Sequence, residues 1–253
     1  MTRNATTVGV DTHAFDAWLF DLDGVVTDTA SVHAAAWKRA FDSFLRTRAA
    51  AAGEPFEPFE IATDYVGHVD GKPRYEGVAA FLAARGIALP QGTPDSPAEE
   101  ASVCGLGNRK NALFNQVLQE QGVTVFDGSL RLIRELKERG KRVAVVTSSK
   151  NCDAVLNAAG LSGLFEVQVD GKVAAADHLH GKPDPETYTT AAALLGTPPA
   201  RAVVVEDAIA GVQAGRDGGF GLVVGVARHD DPAVLKAHGA DLVVTDLAEL
   251  QLR

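Results

Sequence analysis

Only two cysteines, Cys104 and Cys152, occur in 253 residues, and they offer neither a disulfide framework nor the spacing of a zinc site. Both read as packed thiols in a reducing, cytoplasmic setting. No apolar stretch approaches the roughly 18 residues that would suggest a bilayer span. The opening MTRNATTVGVDTHAFDAW also lacks the apolar core of a secretory signal, so residues 1–15 read as a loose polar lead and no membrane role is expected. Lys/Arg clusters are missing too. With 24 basic and 33 acidic residues the formal charge is −9, which repels nucleic acid and anionic lipid. A small phosphate ester stays compatible, because one cation and a few lysines reverse the potential locally. Nor does any segment repeat with the period of a solenoid or propeller. What is present is ordinary globular composition, 46% hydrophobic and 23% charged, in a chain long enough for one large α/β domain or for a core carrying an insert.

Five short apolar runs read as buried parallel strands: AWLFD ending at Asp21, RVAVVT ending at Thr147, AVVVED around Glu206, GLVVGV ending at Val226, and DLVV ending at Val244. Segments of helical spacing, such as NCDAVLNAAG and IAGVQAGRDGG, lie between the last four. This β-α-β-α order predicts α/β architecture with a doubly wound, Rossmann-like parallel sheet. From about Ser31 to Gly122 the pattern changes to helical periodicity without a convincing strand, broken by the Pro/Gly/Ser-rich loop LPQGTPDSPAEE. The expected organisation is a core of residues 1–30 and 123–253 with an all-helical cap over 31–122. Because ligands of open α/β sheets bind beyond the carboxyl ends of the strands, an insert that follows the first strand is placed to act as a lid.

The chemistry gathers at those strand ends. In FDLDG, Asp21 and Asp23 put two carboxylates beside each other. A positive group has to neutralise them, most economically Mg²⁺, which takes one or two carboxylates together with waters and phosphate oxygens. Thr147, Ser148 and Ser149 bring hydroxyls and backbone N–H groups suited to a phosphate, Gly181-Lys182-Pro183 sets a cation in a stiff loop, and Glu206-Asp207 is a second carboxylate pair able to complete a hard-metal shell. Each feature has a plainer reading: a turn, an N-cap cluster, a solvated lysine, a capped helix start. It is their joint occurrence at successive strand ends that points to a cation and phosphate site. His178 and His180, at i, i+2 in a loop, make a poor ligand set.

The set DLDGVVTDT, VTSS, GKPDP and VVVEDA resembles the haloacid dehalogenase superfamily of phosphotransferases over residues 16–30 and 123–227. The resemblance implies Asp21 as the nucleophile that accepts a phosphoryl group, Asp23 as general acid/base, Thr147, Ser148 and Lys182 as phosphate contacts, and Mg²⁺ held among Asp21, Asp23, Glu206 and Asp207. Three further stretches resemble the β-phosphoglucomutase-like subgroup. In TDTASVHAAAW, Thr29 and His33 match its hinge. In VDGKPRYEGV, Arg74 sits where the subgroup grips the distal phosphate, with Lys72 sharing or taking that role. In TSSKNCDAVL, Ser149, Lys150 and Asn151 match residues that help bind the same phosphate. Two phosphate grips imply a mutase that interconverts β-glucose 1-phosphate and glucose 6-phosphate through β-glucose 1,6-bisphosphate. The alternative on the same core is a sugar-phosphate or phosphoglycolate-type phosphatase. A small phosphorylated sugar is the expected partner and a monomer the expected state. A non-catalytic member of the fold is disfavoured by retention of Asp21, Asp23, Lys182 and Asp207. The segments 46–59, 92–104 and 170–185 are longer than the subgroup's usual pattern, which leaves the identity of the sugar open.

Overall fold

Runs rich in Val and Ala between Gly, Asp and Pro build ten strands in the computed structural model, which describes residues 7–69, 72, 74–228 and 232–253. They are β1 (Val8–Val10), β2 (Ala17–Phe20), β3 (Thr27–Asp28), β4 (Thr124–Val125), β5 (Arg142–Val146), β6 (Val167–Val169), β7 (Ala202–Glu206), β8 (Leu222–Val226), β9 (Leu242–Val244) and β10 (Leu250–Leu252). Residues 1–6 of the polar lead lie outside the described residues. The chain divides into two units, one formed by residues up to Thr29 with Val123–Arg253, the other by Ala30–Gly122.

Six strands of the first unit form an all-parallel sheet in the order β6-β5-β2-β7-β8-β9. This is a doubly wound sheet whose direction of winding reverses between β2 and β7. Its central strands are buried on both faces, as Trp18, Leu19, Val145 and Val204 are without exposed surface, and this accounts for their unbroken apolar runs. Helices such as Asp127–Glu138, which buries Leu132, Ile133 and Leu136, cover the sheet. The sheet has one strand more than the five apolar runs, because β6 is only three residues long and carries a Gln at its centre. Two small pairings were also invisible in the sequence. β1 lies parallel to β10, and β3 lies antiparallel to β4 where the chain leaves this unit and returns to it.

The second unit has helices and no strand among its described residues: α1 (Ala30–Ala52), a wider π-helical stretch (Ile61–Val69), α2 (Arg74–Ala84) and α3 (Val103–Gln121). Its core is aromatic. The ring of Phe41 lies 5.2 Å from that of Trp37, 4.9 Å from Phe59 and 4.2 Å from Phe81. The π-helical stretch keeps Tyr65 and Val69 buried, while Arg85 donates to Asp64 at 2.6 Å and holds its polar side. The long loop before α3 is ordered by that helix: Asn108 Nδ2 donates to the carbonyls of Pro94 and Ser96, and Arg109 Nε to that of Ala98. Ser102 caps α3, its hydroxyl accepting from the Gly105 N–H at 3.0 Å. Because Phe41 is fully buried among three other rings, Phe41→Ala is expected to lower the unfolding free energy by about 3–5 kcal/mol, to be read from urea unfolding of wild type and variant.

Candidate active site

Strand register brings the site together. Phe20 pairs with Val145 on one side and Val205 on the other, so Asp21, the residues after β5, and Glu206 emerge level at one edge of the sheet. The Asp21 N–H donates to the Val205 carbonyl at 2.9 Å, which keeps its backbone in line with the sheet. This edge lies at the reversal of winding, where open α/β sheets leave a crevice for ligands.

Lys182 sits at the centre of that edge. Its ammonium donates to Asp21 Oδ1 at 2.6 Å, to Glu206 Oε1 at 2.6 Å and to the Val146 carbonyl at 3.0 Å. All three N–H donors of the ammonium are thereby used. Tyr188, fully buried and six residues further on, turns its ring toward the same nitrogen, 4.8 Å from the ring centroid. Its hydroxyl donates to Glu206 Oε1 at 3.2 Å. Glu206 Oε2 accepts from the Ala208 N–H at 2.9 Å. Both oxygens of Glu206 are therefore engaged, and its main contact is with the lysine.

Asp23 is held differently. Its Oδ1 accepts from the buried Thr29 hydroxyl and its Oδ2 from Thr147 Oγ1 at 3.3 Å. The intervening turn depends on Gly24, whose φ of +89° lies in the left-handed region that favours glycine. Its N–H donates to the Thr27 carbonyl at 2.8 Å, and the Thr27 hydroxyl donates back to the Leu22 carbonyl. A Cβ at Gly24 would stand 1.9 Å from Asp207 Oδ2, so the missing side chain is what admits the Asp207 carboxylate. After β5, Thr147 Oγ1 accepts from the Ser149 N–H and Ser149 Oγ from the Asn151 N–H, at 3.1 and 3.2 Å. Gly171 anchors this loop by donating to the Ser149 carbonyl at 3.0 Å. Ser148 and Lys150 are exposed, Ser149 and Asn151 half-buried.

Two carboxylates thus hold one ammonium, and two more, Asp23 and Asp207, stand near Asp21. Burial pushes Asp21 well above the usual carboxylate range, and repulsion from Glu206, Asp207 and Asp23 adds to this against the attraction of Lys182. Burial, with Glu206 beside it, pushes Asp207 up to about 8. Burial disfavours the ammonium of Lys182, but Asp21 and Glu206 more than offset this and hold its pKa well above the usual value. Excess negative charge on hard oxygen donors is the environment of a Mg²⁺ ion. The Asp207 carboxylate, lying against the Gly24 turn, adds a further oxygen donor near Asp21. Among the described residues no three His, Cys, Asp or Glu side chains converge as a ready-made metal cluster.

The helical unit carries its own polar group of residues. Arg74, at the start of α2, donates from Nη2 to Asn111 Oδ1 at 2.9 Å. Lys110 on α3 is 5% exposed; its ammonium lies 5.1 Å from the ring centroids of both Trp37 and Phe114 and donates to His33 Nδ1 at 2.7 Å. An ammonium has no acceptor, so His33 Nδ1 carries the lone pair and the ring proton is on Nε2. Burial, then the cations of Lys110 and Arg74, pushes His33 down from 6.5 to about 3. Lys72 is exposed, and its N–H donates to the Val69 carbonyl. Asp70, Gly71 and Pro73 of the same stretch lie outside the described residues. Tyr188, Lys110 and Asn111 escaped the sequence reading, because a tyrosine in a GKPDPETY run and a lysine in an NRKN run carry no signal of their own.

Known proteins resemble this chain in sequence and fold. A family model described as haloacid dehalogenase-like hydrolase matches residues 15–219. A beta-phosphoglucomutase of Mycobacterium tuberculosis is 50% identical over 237 residues, covering 92% of this chain and 90% of that one. Among solved structures, beta-phosphoglucomutase from Clostridium difficile is 26% identical with a TM-score of 0.67, covering 94% of this chain and 93% of that chain. A mutant of CbbY from Rhodobacter sphaeroides, in complex with xylulose-(1,5)bisphosphate, is 27% identical with a TM-score of 0.66, covering 94% and 97%.

The His33 environment makes a pH prediction. The folded state keeps His33 neutral down to about pH 3 while the unfolded chain takes up its proton near 6.5. Its contribution is therefore complete above pH 6.5 and is lost as the pH falls from there toward 3. Urea unfolding of wild type and His33→Asn from pH 7 to 4 should show the stability difference shrinking by up to about 1.4 kcal/mol per pH unit; a flat difference contradicts the assignment.

Proposed function

The chain belongs to the haloacid dehalogenase-like hydrolases, in their β-phosphoglucomutase-like branch, and we propose that it interconverts β-glucose 1-phosphate and glucose 6-phosphate through a phosphorylated Asp21. The observation that carries this reading is the Asp21 carboxylate held by Lys182 at 2.6 Å, with Asp23 presented two residues along by two threonine hydroxyls. Phosphoryl transfer asks a protein mainly for in-line positioning and charge neutralisation, and the Lys182–Asp21 pair supports the second.

In the proposed cycle, Asp23 takes the proton of the sugar's 6-hydroxyl while that oxygen attacks phosphorus on phospho-Asp21. The bond from Asp21 to phosphorus breaks, the carboxylate is restored, and β-glucose 1,6-bisphosphate forms. After the bisphosphate turns around, Asp21 attacks the phosphorus of the 1-phosphate. Asp23 returns its proton to the departing O1, glucose 6-phosphate leaves, and phospho-Asp21 is regenerated. Proton transfer by a positioned carboxyl contributes about 10²- to 10⁴-fold. Thr147, Ser148 and Lys182 are assigned to the oxygens of the transferring phosphoryl group. Asp21 and Asp207, with Asp23 and Glu206 beside them, would hold Mg²⁺, whose contribution when bound is to offset the repulsion between the carboxylate nucleophile and the phosphate.

The mutase is preferred to a phosphatase for two reasons. The half-identical relative bears the name beta-phosphoglucomutase, and a bisphosphate needs a second set of cationic and amide groups. The groups proposed for that set are Arg74, with Lys72 sharing or taking its role, and Ser149, Lys150 and Asn151, while Thr29 and His33 are assigned to the hinge and its support. The phosphatase reading draws on the hydrolase description of the matching family model. Supplied with Mg²⁺, β-glucose 1-phosphate and a trace of the bisphosphate, the enzyme should form glucose 6-phosphate without stoichiometric inorganic phosphate, and Asp21→Asn should form none; phosphate released one-for-one selects the phosphatase instead. Loss of a charge-assisted phosphate grip costs about 1.5–3 kcal/mol, so Arg74→Ala should lower kcat/KM for β-glucose 1-phosphate by about 10- to 100-fold, and Lys72→Ala by less. The reverse ranking in steady-state kinetics moves the role to Lys72.

A further inference from the structure

Arg228, two residues past the end of β8, is used by no step above, yet it reaches the turn that carries Asp23. Its Nε donates to the Gly24 carbonyl at 3.1 Å. Its Nη1 donates to the Thr245 carbonyl and to Asp246 Oδ2, both at 3.1 Å. The guanidinium carbon lies 3.8 Å from the centroid of the Phe126 ring, and only 10% of the side chain is exposed. Nη2 is buried with no hydrogen-bond partner among the described residues. Surface pinning does not require such burial, and an arginine kept there with one nitrogen unsatisfied points to the group it holds.

That group is a single peptide. The Gly24 N–H is spent on Thr27 within the turn, so the local chain alone would leave its carbonyl to pivot about a left-handed φ. Arg228 removes this freedom from a strand on the far side of β7. The held carbonyl belongs to the Gly24–Val25 peptide; across the Gly24 Cα the chain continues into Asp23, and against that Cα lies the Asp207 carboxylate, with a virtual Cβ only 1.9 Å from Oδ2. We propose that Arg228 is a positioning residue for the reaction, holding the Gly24 carbonyl so that Asp23 and Asp207 keep their mutual placement. The planar fork suits the task because it reaches Gly24 and the Thr245–Asp246 segment together, which a lysine ammonium on a single stem cannot do.

The role assigned to Asp23 rests on the proposed function, so the test has one readout that depends on turnover and one that does not. Arg228→Met, shown to be folded by circular dichroism and melting temperature, should lose about 10- to 100-fold in kcat, the scale expected of a misplacement near 1 Å, with KM changed less than about threefold. Arg228→Lys should recover part of the loss, and added guanidinium ion should partly restore Arg228→Ala. The activity followed is glucose 6-phosphate formation, or phosphate release if the enzyme proves to be a phosphatase. Independently of turnover, amide hydrogen exchange at Gly24 should rise at least tenfold in Arg228→Met. A folded variant with wild-type kcat and unchanged Gly24 exchange overturns the proposal, as does activity that falls only in step with the unfolded fraction. If the Met variant fails to fold, the same two measurements on Arg228→Lys decide. Raised exchange in a protein whose wild type turns over neither product would overturn the functional reading and leave the positioning contact standing.

Discussion

One buried ammonium organises the core unit. Lys182 spends its three donors on Asp21, Glu206 and the end of β5, with the Tyr188 ring against it. Leaving a buried charge without its partner is among the most destabilising of changes, and burying a paired one still costs several kcal/mol per ion. The arrangement persists because both carboxylates and a carbonyl converge on one nitrogen. Their convergence follows from the sheet: β2 lies between β5 and β7, in a register that sets Phe20 beside Val145 and Val205. Burial, with repulsion among the neighbouring carboxylates, displaces Asp21 and Asp207 upward.

Around this fixed point the two aspartates of the first motif are handled in different ways. Asp21 is tied to the lysine and continues the sheet through its own N–H. Asp23 lies past the strand, on a glycine turn, oriented by the Thr29 and Thr147 hydroxyls and held from behind through Gly24 and Arg228. In the roles proposed for them, a nucleophile has to be steady and partly neutralised and an acid/base group has to be aimed, and these different supports fit those roles. The helical unit solves a separate problem, keeping a cation inside an aromatic core. Lys110 rests against Trp37 and Phe114 and donates to a neutral His33. The neutral ring is what lets the ammonium donate, and burial with the neighbouring cations keeps it neutral.

Much of this was legible along the chain. The apolar runs ending at Asp21, Thr147 and Glu206 mark three adjacent strand ends because parallel strands buried on both faces need such runs. The helical unit was legible from periodicity, since α1, α2 and α3 each carry an apolar stripe. Short or wide elements were not. β6 has three residues around a Gln, β1 and β10 pair across nearly the whole chain, and the π-helical stretch 61–69 does not follow the 3.6-residue period. The pairing of Glu206 with Lys182, Tyr188 and the Ala208 N–H was not legible either, because those partners lie on other segments or carry no signal of their own.

Composition, period and motif spacing established the architecture and the inventory of reactive groups, because burial and backbone geometry act over a few neighbouring residues and leave their pattern in order along the chain. Partnership was decided in three dimensions. Lys182 meets Asp21 across 161 residues, Thr147 meets Asp23 across 124, and Arg228 meets the Gly24 carbonyl across 204. No local pattern specifies such distances. They follow from strand order and register, which the chain adopts only when the whole sheet closes over its core.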